Sequence, residues 1–205
     1  GAELCDSILV AGRGALVLRV HFGSFDAMRV AAEQREDACS RRILMDLSHS
    51  EALNKALRAV NPAFLDAIID SSQAANELGL RIREAVAEGD VVGLMAERVN
   101  SAQERSVDCR LFGRAVRVPA TPWLLAAVLR VPVILGLCTY EGANRYRVSF
   151  ELLHPGGEAI GSRQRMDFVQ LQAQGYLDRI EAHNGAVNAF VLTDPDGALA
   201  AARKS

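Results

Sequence analysis

The chain has no apolar run long enough to cross a bilayer as a helix. The longest candidate, Pro119 to Thr139, is broken by Pro122, Arg130 and Pro132, short of the roughly 20 consecutive apolar residues a span requires. Aromatic side chains are scarce: one Trp, three Tyr and seven Phe make up 5% of the 205 residues. No stacking platform is interleaved with the arginines, which argues against nucleic acid as a partner. The cysteines, at positions 5, 39, 109 and 138, form neither a CxxC pair nor a Cys/His cluster. That spacing gives a zinc site no support and predicts buried, unpaired thiols in a reducing compartment. No metal or other cofactor is expected. Gly1 to Leu9 contains Glu3, Cys5 and Asp6 without a basic start, so no signal peptide is expected.

What the chain does have is apolar residues, at 50% of its length, with a formal charge of only −2. That composition excludes a mainly disordered state, and the length suits one α/β domain, alone or with a short appendage. The small net charge hides an asymmetry. Residues 1–97 carry 15 acids and 10 bases (−5), residues 98–147 carry 3 acids and 8 arginines (+5), and residues 148–205 carry 7 acids and 5 bases (−2). A basic middle block can meet an anionic partner such as a phosphate, a phospholipid headgroup or an acidic carrier protein; the alternative is a solvated arginine-rich face.

Short apolar runs alternate with helical patterns. Ala15 to Phe22, Arg42 to Leu47, Asp66 to Asp70 and Val91 to Ala96 read as strands. Between them, Phe25 to Gln34, Glu51 to Val60 (stopped before Pro62) and Gln73 to Ala87 read as helices. This rhythm predicts a mainly parallel sheet with helices on both faces. Beyond residue 100, Val107 to Phe112 and Arg114 to Val118 flank Gly113 like a hairpin. Thr121-Pro122 then opens a helix, Thr121 as cap and Pro122 in the first position. Val131 to Tyr140 and Arg145 to Leu153 read as paired strands around a turn at 142–144, His154 to Gly157 as a linker, and Met166 to Ala182 as a helix.

The chemically suggestive stretch is His21-Phe22-Gly23-Ser24-Phe25-Asp26. His21 ends the first buried strand, where open α/β sheets place ligands, and Asp26 falls in the first turn of the next helix. A tight turn at Gly23-Ser24 lets the carboxylate fold back to the imidazole. A carboxylate on one ring nitrogen fixes the tautomer and raises the basicity of the other. The pair is the base and orienter of a triad whose nucleophile is the substrate's own hydroxyl. The spacing alone is equally compatible with a structural histidine.

HFGSFD resembles the H(x)4D/E signature of the lysophospholipid acyltransferase superfamily, in its bacterial lipid A (lauroyl/myristoyl) acyltransferase-like branch. The resemblance continues in order through EGDVVGLMAERV and LFGRAVRVPATPWLLAAVLRVPVILGLCTYEGANRYRVSFE, over roughly residues 7–153. It is closest to the acyltransferases expected of aryl-polyene-type lipid clusters. The resemblance implies a glycerolipid acyltransferase-like fold, with His21 as general base and Asp26 orienting it. Gly23 and Ser24 would line the substrate site. Glu97-Arg98 would stand where the family places a substrate-binding acid–arginine pair, Glu97 being longer than the family's usual Asp. Thr121-Pro122 stands where the family often has Gly-Pro, and its free backbone N–H groups could hold a phosphate or carboxylate. The implied donor is an acyl carrier protein or acyl-coenzyme A thioester, and the implied acceptor a lipid or glycolipid hydroxyl. The implied location is cytoplasmic, peripheral on the inner face of the cytoplasmic membrane.

From about Phe168 the chain follows another pattern. YLDRIEAHN followed by NAFV resembles the start of an amidase-signature enzyme, but includes none of that family's Ser-Ser-Lys positions. The expected division is therefore an acyltransferase-like core over 1–155 and a C-terminal helix with an amidase-start-like tail over 156–205. Two other readings stand beside acyl transfer: a non-catalytic or truncated remnant of the fold, and an N-terminal amidase fragment.

Overall fold

A computed structural model describes residues 3, 7–8, 12–20, 24, 28, 40–48, 55, 58–59, 62–97, 99, 104–143 and 145–187. Its elements are β1 (Ala15–Arg19), β2 (Arg41–Met45), α1 (Pro62–Asp66), β3 (Ile68–Asp70), α2 (Ala75–Ala87), β4 (Val91–Met95), β5 (Ser106–Leu111), β6 (Arg114–Pro119), α3 (Thr121–Leu129), β7 (Val133–Gly142), β8 (Arg145–His154) and α4 (Arg165–Val187).

Six strands form one sheet in the order β3-β2-β4-β1-β7-β8, parallel except for β8, which returns antiparallel to β7. The mainly parallel sheet expected from the apolar runs is present. β1 sits centrally, paired with β4 from Ala15↔Val91 to Arg19↔Met95 and with β7 from Leu16↔Val133 to Leu18↔Leu135. All five β1 residues are buried, as a strand covered on both faces should be.

Strand alternation divides the core. Leu16, Leu18, Val92, Leu94, Val133, Leu135 and Leu137 point to one face, where they cluster with Ile82, Ala85 and Val86 of α2, Trp123 and Ala126 of α3, and Val169, Ala173, Tyr176, Leu177 and Ile180 of α4. Ala15, Val17 and Ile134 point to the other face and cluster with Ile8; Ile8 and Met28, both helical, are buried. α2 approaches β1 closely. A Cβ on Gly14 would lie 2.3 Å from the Val86 carbonyl oxygen, so only glycine fits.

The β5–β6 hairpin forms around Gly113 as expected. Its β5 edge is covered by α4 side chains. The Gln174 amide accepts from the Arg110 N–H at 2.8 Å and donates to the Arg110 carbonyl at 3.0 Å, as a neighbouring strand would. Gln170 donates to the Asp108 carbonyl, and Glu181 accepts from the Phe112 N–H. The edge is thereby paired. Glu151 of β8 meets Arg179 and His183 of α4, and His154 packs edge-on against Phe168.

Several boundaries differ from the sequence reading. Thr121 is not the cap of α3: Ala120 holds that position and its carbonyl accepts the Leu124 N–H at 2.9 Å, with no side-chain cap bond. The helix starts one residue earlier because this first backbone bond needs no side chain. Pro62 opens α1 as well as following the preceding helical pattern, since a helix's first turn tolerates its missing N–H. Asp66 ends α1, and the third strand is only Ile68–Asp70. β8 extends to His154, so the linker begins at Pro155; a Cβ on Gly156, at φ +71°, would lie 2.5 Å from the Val131 carbonyl carbon. Met28, which is helical, is the described residue of the expected helix over 25–34; the rest of it, most of the helix over 51–60 and the tail from 188 to 205 lie outside the described residues. Cys109 and Cys138 are buried free thiols, as their spacing predicted. Among the described residues, no helix is long and apolar enough to cross a membrane.

Candidate active site at the carboxyl edge of the central strands

β1 and β4 run parallel and in register, so the residues after Arg19 and after Met95 emerge at the same edge of the sheet. The connections leaving this edge travel in opposite directions: β1 leads towards β2 on one side of β4, and β4 leads towards β7 on the far side of β1. In α/β proteins ligands bind at the carboxyl ends of the strands where the connections diverge in this way.

The end of β1 is held from two directions. The Arg19 carbonyl accepts the Ala96 N–H at 3.2 Å and the Tyr176 hydroxyl at 3.3 Å. Tyr176 is fully buried and meets Trp123 of α3 edge-on, ring centroids 5.8 Å apart. α4 and the first turn of α3 therefore fix the strand at the point where the HFGSFD segment leaves it. Burial, and then the charge of Glu97, push the Tyr176 phenol well above its ordinary pKa, so it stays a neutral donor.

Glu97 follows β4 at this edge and is half-buried, close enough to act electrostatically on Tyr176. Ser24 lies on the second face of the sheet. Its carbonyl accepts the Met28 N–H at 3.3 Å, opening a helical turn, and its backbone N–H is hydrogen-bonded to the Cys138 thiol of β7. Burial raises the Cys138 pKa, and the Ser24 bond offsets part of that rise. Thr121 is placed differently. It lines a groove of about 440 Å³ between α2 and α3, with Arg83, Leu80, Leu125 and Val128, on the opposite face from Ser24. His21, Gly23, Asp26 and Arg98 lie outside the described residues.

One residue escaped sequence reasoning. Arg19, only 8% exposed, projects onto the second face and lies across β4, where a Cβ on Gly93 would stand 3.3 Å from its Nη2. It also approaches the Met28 sulfur at 3.7 Å, and burial lowers its pKa. The signal was a single cation inside the apolar run ALVLRV, facing a glycine in the run VVGLM. Glycine there leaves room for the guanidinium, placing positive charge beside the candidate site.

An open, mainly parallel α/β sheet with a fixed carboxyl edge defines a class of ligand-binding and catalytic domains. Within that class the family is clear. The family model described as bacterial lipid A biosynthesis acyltransferase matches residues 1–155, and the chain belongs to this family. Membership points to an acyltransferase working with an acyl donor and a lipid acceptor. No curated protein matches the chain.

Proposed function

We propose that the protein transfers an acyl chain from an acyl carrier protein or coenzyme A thioester to a hydroxyl of a lipid or glycolipid acceptor. What supports this reading most is the family match over residues 1–155, a span that includes HFGSFD. Ser24, inside that segment, sits at the carboxyl edge of β1 on the face shared with Arg19 and Cys138.

His21, oriented by Asp26, takes the proton from the acceptor hydroxyl as its oxygen attacks the thioester carbonyl. The tetrahedral intermediate carries an oxyanion, stabilised by backbone amides near Gly23 or by an arginine. Collapse breaks the C–S bond; the thiolate leaves with the proton held by His21, and the ester remains. Positioned proton transfer of this kind contributes typically ~10²–10⁴ in rate. Glu97 and Arg98 contact the acceptor or donor headgroup. The first turn of α3 contributes backbone N–H groups rather than a Thr121 cap. Helices on both faces enclose the sheet, and the enzyme works at the inner face of the cytoplasmic membrane.

The test is transfer from an acyl carrier protein thioester and, separately, an acyl-coenzyme A to lipid extract, with new esters followed by mass spectrometry. Ester formation dependent on the protein and on one donor is expected. Absence of product with both donors, from a protein that melts cooperatively, contradicts the proposal.

A further inference from the structure

The β7–β8 hairpin continues well past the last β1 pairing at Leu18↔Leu135, seven residues further to Gly142, or roughly 23 Å at about 3.3 Å per residue. Burial persists through Cys138 and ends at Thr139. The exposed tip carries the cross-strand pair Tyr140 and Tyr146, 54% and 46% exposed, with ring centroids 5.3 Å apart. The two rings meet at 55°. They form a compact amphipathic knob, whereas nucleotide bases need open parallel faces for stacking. Tyr140 follows Cys138 at the strand period, so the pair lies on the Ser24 face, just beyond the HFGSFD segment's contact with β7. Arg145 and Arg147 flank Tyr146 and alternate to the opposite side of the hairpin, where Arg147 pairs with Glu141. At the turn, Gly142 has φ +86° and Ala143 φ +48°, tightening the tip into a narrow end.

We propose that this hairpin tip is an interfacial anchor that inserts end-on into the headgroup layer of an anionic phospholipid bilayer. Tyrosines at the edge of an apolar phase settle at headgroup level, ring inward and hydroxyl in water. Arg145 and Arg147 beside the knob, the second also pairing with Glu141, complement anionic lipid. Insertion turns the carboxyl edge of β1 towards the lipid surface, because β7 runs parallel to β1 and carries the tip beyond that edge. The choice of occupant rests on the acyl-transfer reading.

The test is co-sedimentation of the full chain with protein-free vesicles of phosphatidylcholine, with or without phosphatidylglycerol. Binding to the mixed vesicles, weaker on phosphatidylcholine alone, is expected. Tyr140→Ser with Tyr146→Ser removes roughly half-exposed rings from the interface and lowers partition roughly tenfold. Tyr140→Phe with Tyr146→Phe keeps the rings and retains most of the binding. Arg145→Ala lowers partition about fivefold on anionic vesicles alone, and carries the test if the serine pair fails to fold. Binding by the serine pair and by Arg145→Ala equal to the parent's, equal binding to both vesicle types, or no vesicle binding overturns the proposal. So does capture of acyl carrier protein, in place of vesicles, that depends on the same residues. Vesicle binding needs no turnover. A chain that binds but never transfers acyl groups contradicts the catalytic reading alone, whereas transfer to detergent-dispersed acceptor without vesicle binding contradicts only the anchor.

Discussion

Tyr176 is the side chain through which α4 holds the carboxyl edge of β1, and replacing it separates two contributions. Tyr176→Phe removes only the hydroxyl, whose 3.3 Å bond to the Arg19 carbonyl is long. That carbonyl keeps the Ala96 N–H, so the loss falls at the low end for a hydrogen bond, about 0.5–1 kcal/mol. At about 2–4 °C per kcal/mol for a chain of this size, Tm drops roughly 1–4 °C. Tyr176→Ala also removes the buried ring packed on Trp123; an aromatic truncation of this kind costs about 3–5 kcal/mol and lowers Tm roughly 6–20 °C. The pH dependence isolates the phenol. Its folded pKa is raised by burial and by Glu97, so the unfolded phenol ionises first. Its contribution to stability is fully present below the ordinary tyrosine pKa of about 10 and is lost as pH rises towards the folded value. Thermal denaturation by circular dichroism, run from neutral to alkaline pH, should show a steeper alkaline fall in the parent than in Tyr176→Phe. Identical alkaline slopes, or a neutral-pH loss in Tyr176→Phe as large as in Tyr176→Ala, would contradict this role of the phenol.

Three other substitutions or labels probe the frame around the site. Gly14→Ala puts a methyl against the backbone of Val86 and Asp90, at 2.3 and 2.8 Å; urea denaturation should show a loss of about 3 kcal/mol, and a neutral result contradicts the close approach of β1 to α2. Asp90→Ala removes the carboxylate that accepts from Arg42 Nε at 2.9 Å and should cost about 1–3 kcal/mol, with Asp90→Asn recovering part of it. Cys138 should resist iodoacetamide at neutral pH in the folded protein and react readily in urea, because burial keeps its thiol protonated. Peptide mapping that finds equal labelling in both states contradicts that placement.

Much of this architecture is legible in the residue pattern, for a physical reason. β4 and, but for Arg19, β1 are apolar runs that a strand covered on both faces can bury, and the Gly113 hairpin and the long helix after residue 165 stand out by turn chemistry and periodicity. Pattern cannot reveal what depends on distant partners. The insertion of β4 between β1 and β2 depends on where the crossovers pass. The pairing of the β5 edge depends on Gln170, Gln174 and Glu181, polar residues that read as ordinary solvent-facing helix positions. Thr121 looked like a cap because its residue type favours that role, but the backbone of Ala120 fills it. Arg19 was visible as an intruding charge, yet only Gly93 on the neighbouring strand explains how it is accommodated. Of the candidate site residues, Ser24 and Glu97 lie at the carboxyl edge, while Thr121 lines the α2–α3 groove.

The proposed acyl transfer makes His21 the base that takes the acceptor's proton. Initial rates of ester formation from an acyl thioester onto a lipid acceptor, compared for the parent and His21→Ala at matched fold and concentration, test it directly. A fall of ~10²–10⁴ is predicted; equal rates would contradict the assignment.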